Sequence, residues 1–261
     1  MKLFTVMAGI ALIAAACDQK PSSSATDAPK AVPDVQAENL KGTVQQIEID
    51  TYLVDSATGK MGKLESKSIE AFDDNGYTVS YSNFTVKDSA TILYKYEHDA
   101  NGFMKGMKGT KNDKPFSLMK IDVDSLGKYT LATSLDSTGK TDVFYDEITS
   151  NEFGQVSGAK GHHPDSTLKM SFVNKYDSIY YTGGESKDSV GKLTYSSTIQ
   201  LNDKKDPAQM DETSVTKDST TNTNTTYAYD TWDNKGNWTQ QTASEKGKPK
   251  KIIKRLITYK Q

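Results

Sequence analysis

TWDNKGNWTQQTASEKGKPKKIIKRLITY, Thr231 to Tyr259, is the stretch whose reading decides the fold. A tight turn occupies Asp233-Asn234-Lys235-Gly236, where Asp can bond its own downstream backbone and Gly tolerates a positive φ. A strand-like run follows to Ala243, then a second turn at Lys246-Gly247-Lys248 and a return strand ending at Tyr259. Looser copies extend back to about Lys41. Aligned on the first turn they begin at Asp73 (DDNG), Asp99 (DANG), Asp124 (DSLG), Asn151 (NEFG), Asp177 (DSIY), Asp203 (DKKD) and Asp233 (DNKG). Between them falls a second set of turns, at Asp88-Ser89, Asn112-Asp113, Asp136-Ser137, Asp165-Ser166, Asp188-Ser189 and Asp218-Ser219.

A turn every dozen or so residues leaves no room for crossover helices, so the rhythm predicts an antiparallel meander of two-strand repeats. Between turns the pattern has period two, the mark of half-buried strands. Ile69 and Ala71 are placed on one face with Tyr77, Val79 and Tyr81. Tyr94 with Tyr96, Tyr129 with Leu131, Val143 with Tyr145, and Tyr227 with Tyr229 mark further faces, and Ile253, Leu256 and Tyr259 the last. Helix is expected to be nearly absent. The fold class is therefore all-β: one long curled sheet or, alternatively, an up-and-down barrel or half-barrel, since both need the same alternation.

The start of the chain reads as an address. Met1-Lys2 is followed by an apolar run to Ala14-Ala15-Ala16, and Cys17 comes next. A short apolar segment ending in small residues is a secretory signal, too short to span a bilayer. Cys17 directly after it makes the segment resemble a bacterial lipoprotein signal, although Ala14 stands where that pattern usually has Leu. The resemblance implies cleavage at residues 1–16 and acylation of Cys17, the single Cys of the chain. Several acyl chains would anchor it stably. Residues 17–40 hold Pro21, Pro29, Pro33 and Ser22 to Ser24 and little that is large and apolar, so a disordered tether is expected, with a reach of roughly 25 Å. The β-repeat domain is expected over 41–261. The expected place is the cell envelope, with the outer membrane first and the face left open.

The last copy carries a second resemblance. Tyr227-Ala228-Tyr229-Asp230, Asp233, Gly236-Asn237-Trp238, Gly247 and Tyr259 are similar to the YD-repeat pattern of Rhs-type proteins. Tyr94, Tyr96, Asp99 and Asn101-Gly102 match moderately and the middle copies poorly. The resemblance implies strand pairs stacked into one curling sheet, and no activity.

Composition and motifs narrow the function. Taking Lys2 from 32 basic side chains leaves 31 against 34 acidic, a net of −3, and such balance argues against a nucleic-acid partner. No nucleophile elbow, phosphate-binding Gly loop or zinc-protease pair is present. His162-His163 with Asp165 could only hold a metal from a loop, and a solvated turn is the simpler reading. His98 beside Asp99 reads as an exposed turn residue. Asp122-x-Asp124-x-x-Gly127 lacks the later Glu of a calcium loop. Neither cofactor nor metal is expected. Tyr227, Tyr229, Trp232, Trp238 and Tyr259 could form an aromatic platform for a sugar or apolar ligand, or simply fill a thin sheet core. Lys246 to Lys260 is basic and reads as a protected sheet edge, and the Thr-rich run Thr213–Thr226 as an edge strand or loop. The reading is a lipid-anchored, non-catalytic binding or structural module, meeting the membrane through its lipid and an envelope protein or glycan as a further partner. A half-barrel carrier of lipid or another apolar ligand is the alternative, and an enzyme acting on envelope polymers the third class.

Overall fold

The computed structural model describes residues 30–55 and 57–261; the signal and Cys17 lie outside them. Sixteen strands follow one another in antiparallel order. They are β1 (Val44–Val54), β2 (Met61–Phe72), β3 (Thr78–Thr85), β4 (Ala90–His98), β5 (Met104–Lys111), β6 (Lys114–Val123), β7 (Tyr129–Asp136) and β8 (Thr141–Ser150). The second half continues with β9 (Val156–His162), β10 (Leu168–Asp177), β11 (Tyr180–Asp188), β12 (Leu193–Leu201), β13 (Pro207–Val215), β14 (Thr220–Trp232), β15 (Trp238–Glu245) and β16 (Lys248–Tyr259). Each pairs with its sequence neighbours, and β1 pairs with β16, Val44 opposite Tyr259 and Leu53 opposite Lys251. The meander is thus a closed barrel. A closed barrel has no edge strand: within Lys246–Lys260, expected at an edge, Lys251 to Tyr259 lie in β16 between β15 and β1, and Thr213–Thr226, expected as an edge strand or loop, forms the end of β13, a turn and the start of β14.

The turns form as the Asp-x-x-Gly spacing demands. Asp73, Asp99, Asp124 and Asp233 each offer Oδ1 to the backbone N–H groups two and four residues on, at 2.8–3.0 Å, and Asn151 does the same. In the copy aligned on Asp203 the accepting residue is Asn202, bonded to Lys204 and Asp206 N–H, so the pattern there lies one residue earlier. The copy at Asp177 turns through Ser178, at φ 59°, and buries Ile179.

Register divides the wall into two faces. On inward positions Tyr81 stands opposite Tyr94, Tyr94 opposite Gly109, Gly109 opposite Ser117, Met107 opposite Met119, Ile121 opposite Ala132, and Ala132 opposite Tyr145. The outward positions between them carry Lys95, Glu97, Lys108 and Lys120, all exposed. Ile69 and Ala71 are outward and Glu70 inward, opposite Ile47 on one side and Tyr81 on the other. A bulge after Ala71 changes the parity at this point, which separates Ile69 from Tyr81. In β16 the inward residue is Arg255, while Leu256 faces out and is 65% exposed.

Residues 30–43, reckoned to the tether or the start of the repeat, are packed across one end of the barrel. α1 (Asp34–Ala37) is a single turn, too short to persist alone, and contacts to the barrel turns hold it. Ala31 N–H donates to Asn101 O at 2.9 Å, Val35 N–H to Gly76 O at 3.0 Å, and Asn39 Nδ2 to Lys204 O at 2.6 Å. Lys41 N–H donates to Asn237 Oδ1 at 2.7 Å, and Asn237 Nδ2 returns a bond to Lys41 O at 2.9 Å. Ala37 is buried against Ile179 and Tyr180. The segment touches turns on opposite sides of the barrel and so caps its mouth.

Candidate functional site

Inside the capped end lies a cavity of about 230 Å³. Its roof is Ala31, Val32 and Asp34; its walls come from β2 through β10. The apolar part is continuous with the largest buried cluster, where Tyr94, Met107, Met119, Ile121, Val143, Tyr145 and Met170 meet. The spacing of aromatic and small residues makes the space. Gly76, at φ 87°, lets its turn approach the capping segment, where a Cβ would fall 2.4 Å from Val35 Cγ2, and a Cβ on Gly102, at φ 85°, would fall 1.9 Å from Tyr77 Cζ.

Acidic groups close one side. Asp34 Oδ2 accepts Thr78 N–H at 2.6 Å, tying the roof to β3. Burial raises its carboxyl to about 6 against those bonds. Thr78 Oγ1 donates to Glu70 Oε1 at 2.6 Å. Glu70 is pushed well above the ordinary carboxyl range, by burial first and then by the Glu38 carboxyl beside it. Behind them Arg255 lies 3.7 Å over the Trp238 ring, its guanidinium pulled down by burial and supported by the charges of Glu38 and Asp206. Burial also raises Asp206, opposed by a bond from Asn39. His98 stacks on Tyr77 at 5.5 Å, and burial lowers its pKa. It lines the cavity and is not the exposed turn residue the sequence suggested.

The opposite end has a second space of about 300 Å³, lined by Thr51, Ser66, Glu212, Thr223, Thr225, Glu245 and Lys251 among others. Two of its charged groups are engaged: Lys251 with Glu65 at 2.8 Å, and Glu212 by the Tyr195 hydroxyl at 2.8 Å.

The five aromatic residues singled out in the last repeat separate into three places. Tyr229 touches both Trp232 and Trp238, with centroids at 5.6 and 5.7 Å, and its hydroxyl donates to Pro207 O at 2.7 Å. Lys204 covers Trp232, at 3.8 Å from the ring centroid. Tyr259 stands at the capped end bonded to Asp233 and Asn237, and Tyr227 lines the far cavity. His162 lies outside, stacked on Phe144, with Nε2 3.0 Å from Asp146 Oδ1. Among the described residues no three His, Cys, Asp or Glu gather as metal ligands. The residues missed by sequence reading are Glu70, Glu38, Asp34 and Arg255. Arg255 alone left a trace, a charge set between Ile253 and Ile257 on the inward parity.

No family model and no curated protein matches the chain. Among solved structures, a porin-like protein from Bacteroides uniformis aligns with 84% of this chain and 98% of its own, at 13% identity and a TM-score of 0.52. The likeness is one of fold. Two toxin assemblies align less well: a TcdB2-TccC3-Cdc42 complex over 85% of this chain at 14% identity and TM-score 0.34, and the Photorhabdus luminescens Tc holotoxin pore over 90% at 14% and 0.27. This chain spans 12% and 13% of theirs.

Proposed function

We propose that this protein is a non-catalytic cell-envelope barrel that holds a small apolar ligand in its capped lumen. One observation carries the reading: from β4 to β10 the lumen is filled by an apolar cluster, while the outer wall carries paired charges. A lipid-facing wall would need an apolar outer band, and Lys or Arg at mid-bilayer costs about 2–4 kcal/mol each. Here Glu48 and Lys67 pair at 2.5 Å on the outer face of β1 and β2, and Glu97 with Lys108 on β4 and β5. The wall at these strands therefore suits water. The cavity is larger than the roughly 150 Å³ apolar space that takes benzene and smaller than the roughly 300–1,000 Å³ of drug-sized sites. Acylation at Cys17 completes the reading: the chain joins the barrel at its capped end, so that end faces the membrane on a tether of at most roughly 45 Å. An envelope protein or glycan remains the natural partner of the outer wall.

The test is mass spectrometry of organic extracts from the exported full-length chain carrying Cys17→Ser, which removes the acyl site. One apolar molecule per chain is expected. A chain that arrives empty and takes up none of octanol, octylamine or octanoate overturns the reading.

A further inference from the structure

The capped cavity is lined by the acids Asp34 and Glu70 and by no Lys or Arg, and that bias defines the ligand. Four wall donors are engaged with backbone: Tyr77 OH with Ala31 O at 2.8 Å, Asn174 Nδ2 and Tyr176 OH with Val156 O at 3.0 and 2.9 Å, and Gln155 Nε2 with Ile179 O at 3.0 Å. The Tyr96, Tyr129 and Tyr145 side chains and His98 add to the polar lining. A carboxylate offers about four lone-pair sites, and Asp34 uses Oδ2 on the Thr78 N–H. Glu70 stands next along the wall. Both acids act on the cavity interior, since Tyr96, whose ring lines it, has its phenol raised by burial and further by Glu70 and Asp34.

We propose that the lumen selects a short apolar molecule whose polar end donates hydrogen bonds, a primary ammonium above all, with that end beside Asp34 and the tail among Met104, Met119, Ile121 and Phe172. The inference rests on the lumen-binding reading above and adds the chemical class of the ligand. At about 30 Å³ for each water-sized unit, the cavity has room for roughly eight carbons. A carboxylate at the same place would meet like charge from Asp34 and from the acids around it. Asp34 itself is flanked by Glu38 on its own segment and Asp73 on the turn after β2. Glu70 faces it from β2, His98 from β4 is held toward its neutral form, and Tyr77 and Tyr129 supply only phenols. Arg255 is on the far side of the Glu38–Glu70 pair in charge terms, its own support coming from Glu38, Asp206 and Glu70.

The sign of the pH dependence follows. Asp34 attracts an ammonium only when ionised, and its carboxyl titrates near 6. Affinity for an amine therefore rises with pH through that value, while affinity for an alcohol stays nearly level.

Calorimetric titration of the full-length Cys17→Ser chain with octylamine, octanol and octanoate separates the possibilities. At pH 7.5 octylamine is expected to bind at least tenfold tighter than octanoate, with octanol between. From pH 7.5 to 5 the octylamine affinity should fall about tenfold, as the ionised fraction of a group with pKa near 6 does, and that of octanol less than twofold. Asp34→Asn, which can still accept the Thr78 N–H, should remove the amine preference and keep octanol binding. Octanoate binding as tightly as octylamine, or an amine affinity level with pH, overturns the proposal while leaving a lumen that binds apolar tails. Failure of all three ligands overturns this proposal and the lumen-binding reading together. Should the Asp34→Asn substitution unfold the chain, the pH series on the unaltered residue decides alone.

Discussion

The two halves of the barrel wall solve the same problem differently. From β4 to β10 the inward positions include Tyr94, Met107, Met119, Ile121, Val143, Tyr145 and Met170, which meet in one apolar cluster. From β12 round to β2 the inward positions include Tyr195, Ser197, Glu212, Thr223, Gln241, Arg255 and Glu70, which need hydrogen bonds or counter-charges. Both halves descend from one turn-and-strand pattern, so the pattern specifies the wall and leaves the lumen free to differ. Sixteen strands enclose more space than side chains alone fill. The apolar half closes inward around a small cavity, the polar half keeps a wetter one, and the capping segment lies over both.

Three experiments would break or sharpen that contrast. The largest effect is expected from Tyr145→Ala, which empties a buried aromatic site and should cost about 4 kcal/mol, against about 1–2 kcal/mol for Tyr227→Ala on the half-buried polar wall. Urea unfolding of both variants checks it, and equal losses would mean that the halves are packed alike. Next come two glycines at the same turn position. Gly102→Ala, at φ 85°, drives a Cβ into Tyr77 and should cost about 2–3 kcal/mol; Gly236→Ala, at φ 86° with nothing within 4 Å, should cost only the backbone strain of about 1 kcal/mol. Melting temperatures of the pair measure the difference. The smallest is a pH effect. Asp34 holds its proton more tightly folded than unfolded, so its contribution is full below the unfolded value near 4 and is lost as pH rises through about 6, and Glu70 is shifted in the same direction. Stability should drop by about 2 kcal/mol between pH 4.5 and 7.5, and Asp34→Asn should flatten that slope.

Most of the wall was legible in the sequence because turn chemistry is local. An Asp or Asn side chain bonding two residues on needs nothing from the rest of the chain, and Gly at the fourth position is demanded by φ alone. Alternation gave the strands for the same reason. Closure was legible only as an alternative, since the pairing of β1 with β16 depends on the summed twist and stagger of every strand between. The candidate site was the least legible part. Glu70 sits between Ile69 and Ala71, so the apolar neighbours suggested the opposite face, and a bulge after Ala71 hid the change of parity. Lys30 to Leu40 looks like tether by composition, yet Ala37 and Leu40 are buried by groups that arrive from turns far along the chain. Its order is a tertiary property.

The seam between Val44 and Tyr259 has a kinetic meaning as well. Every other strand pair joins neighbours and can zip as soon as both are present, but the last pairing must close a loop containing nearly the whole domain, the slowest kind of contact to form. Until β16 arrives, β1 and β15 both expose unpaired backbone. A chain cut short before Lys248 therefore leaves two sticky margins facing each other across the gap, and the natural way to satisfy them is to borrow the missing strand from another molecule.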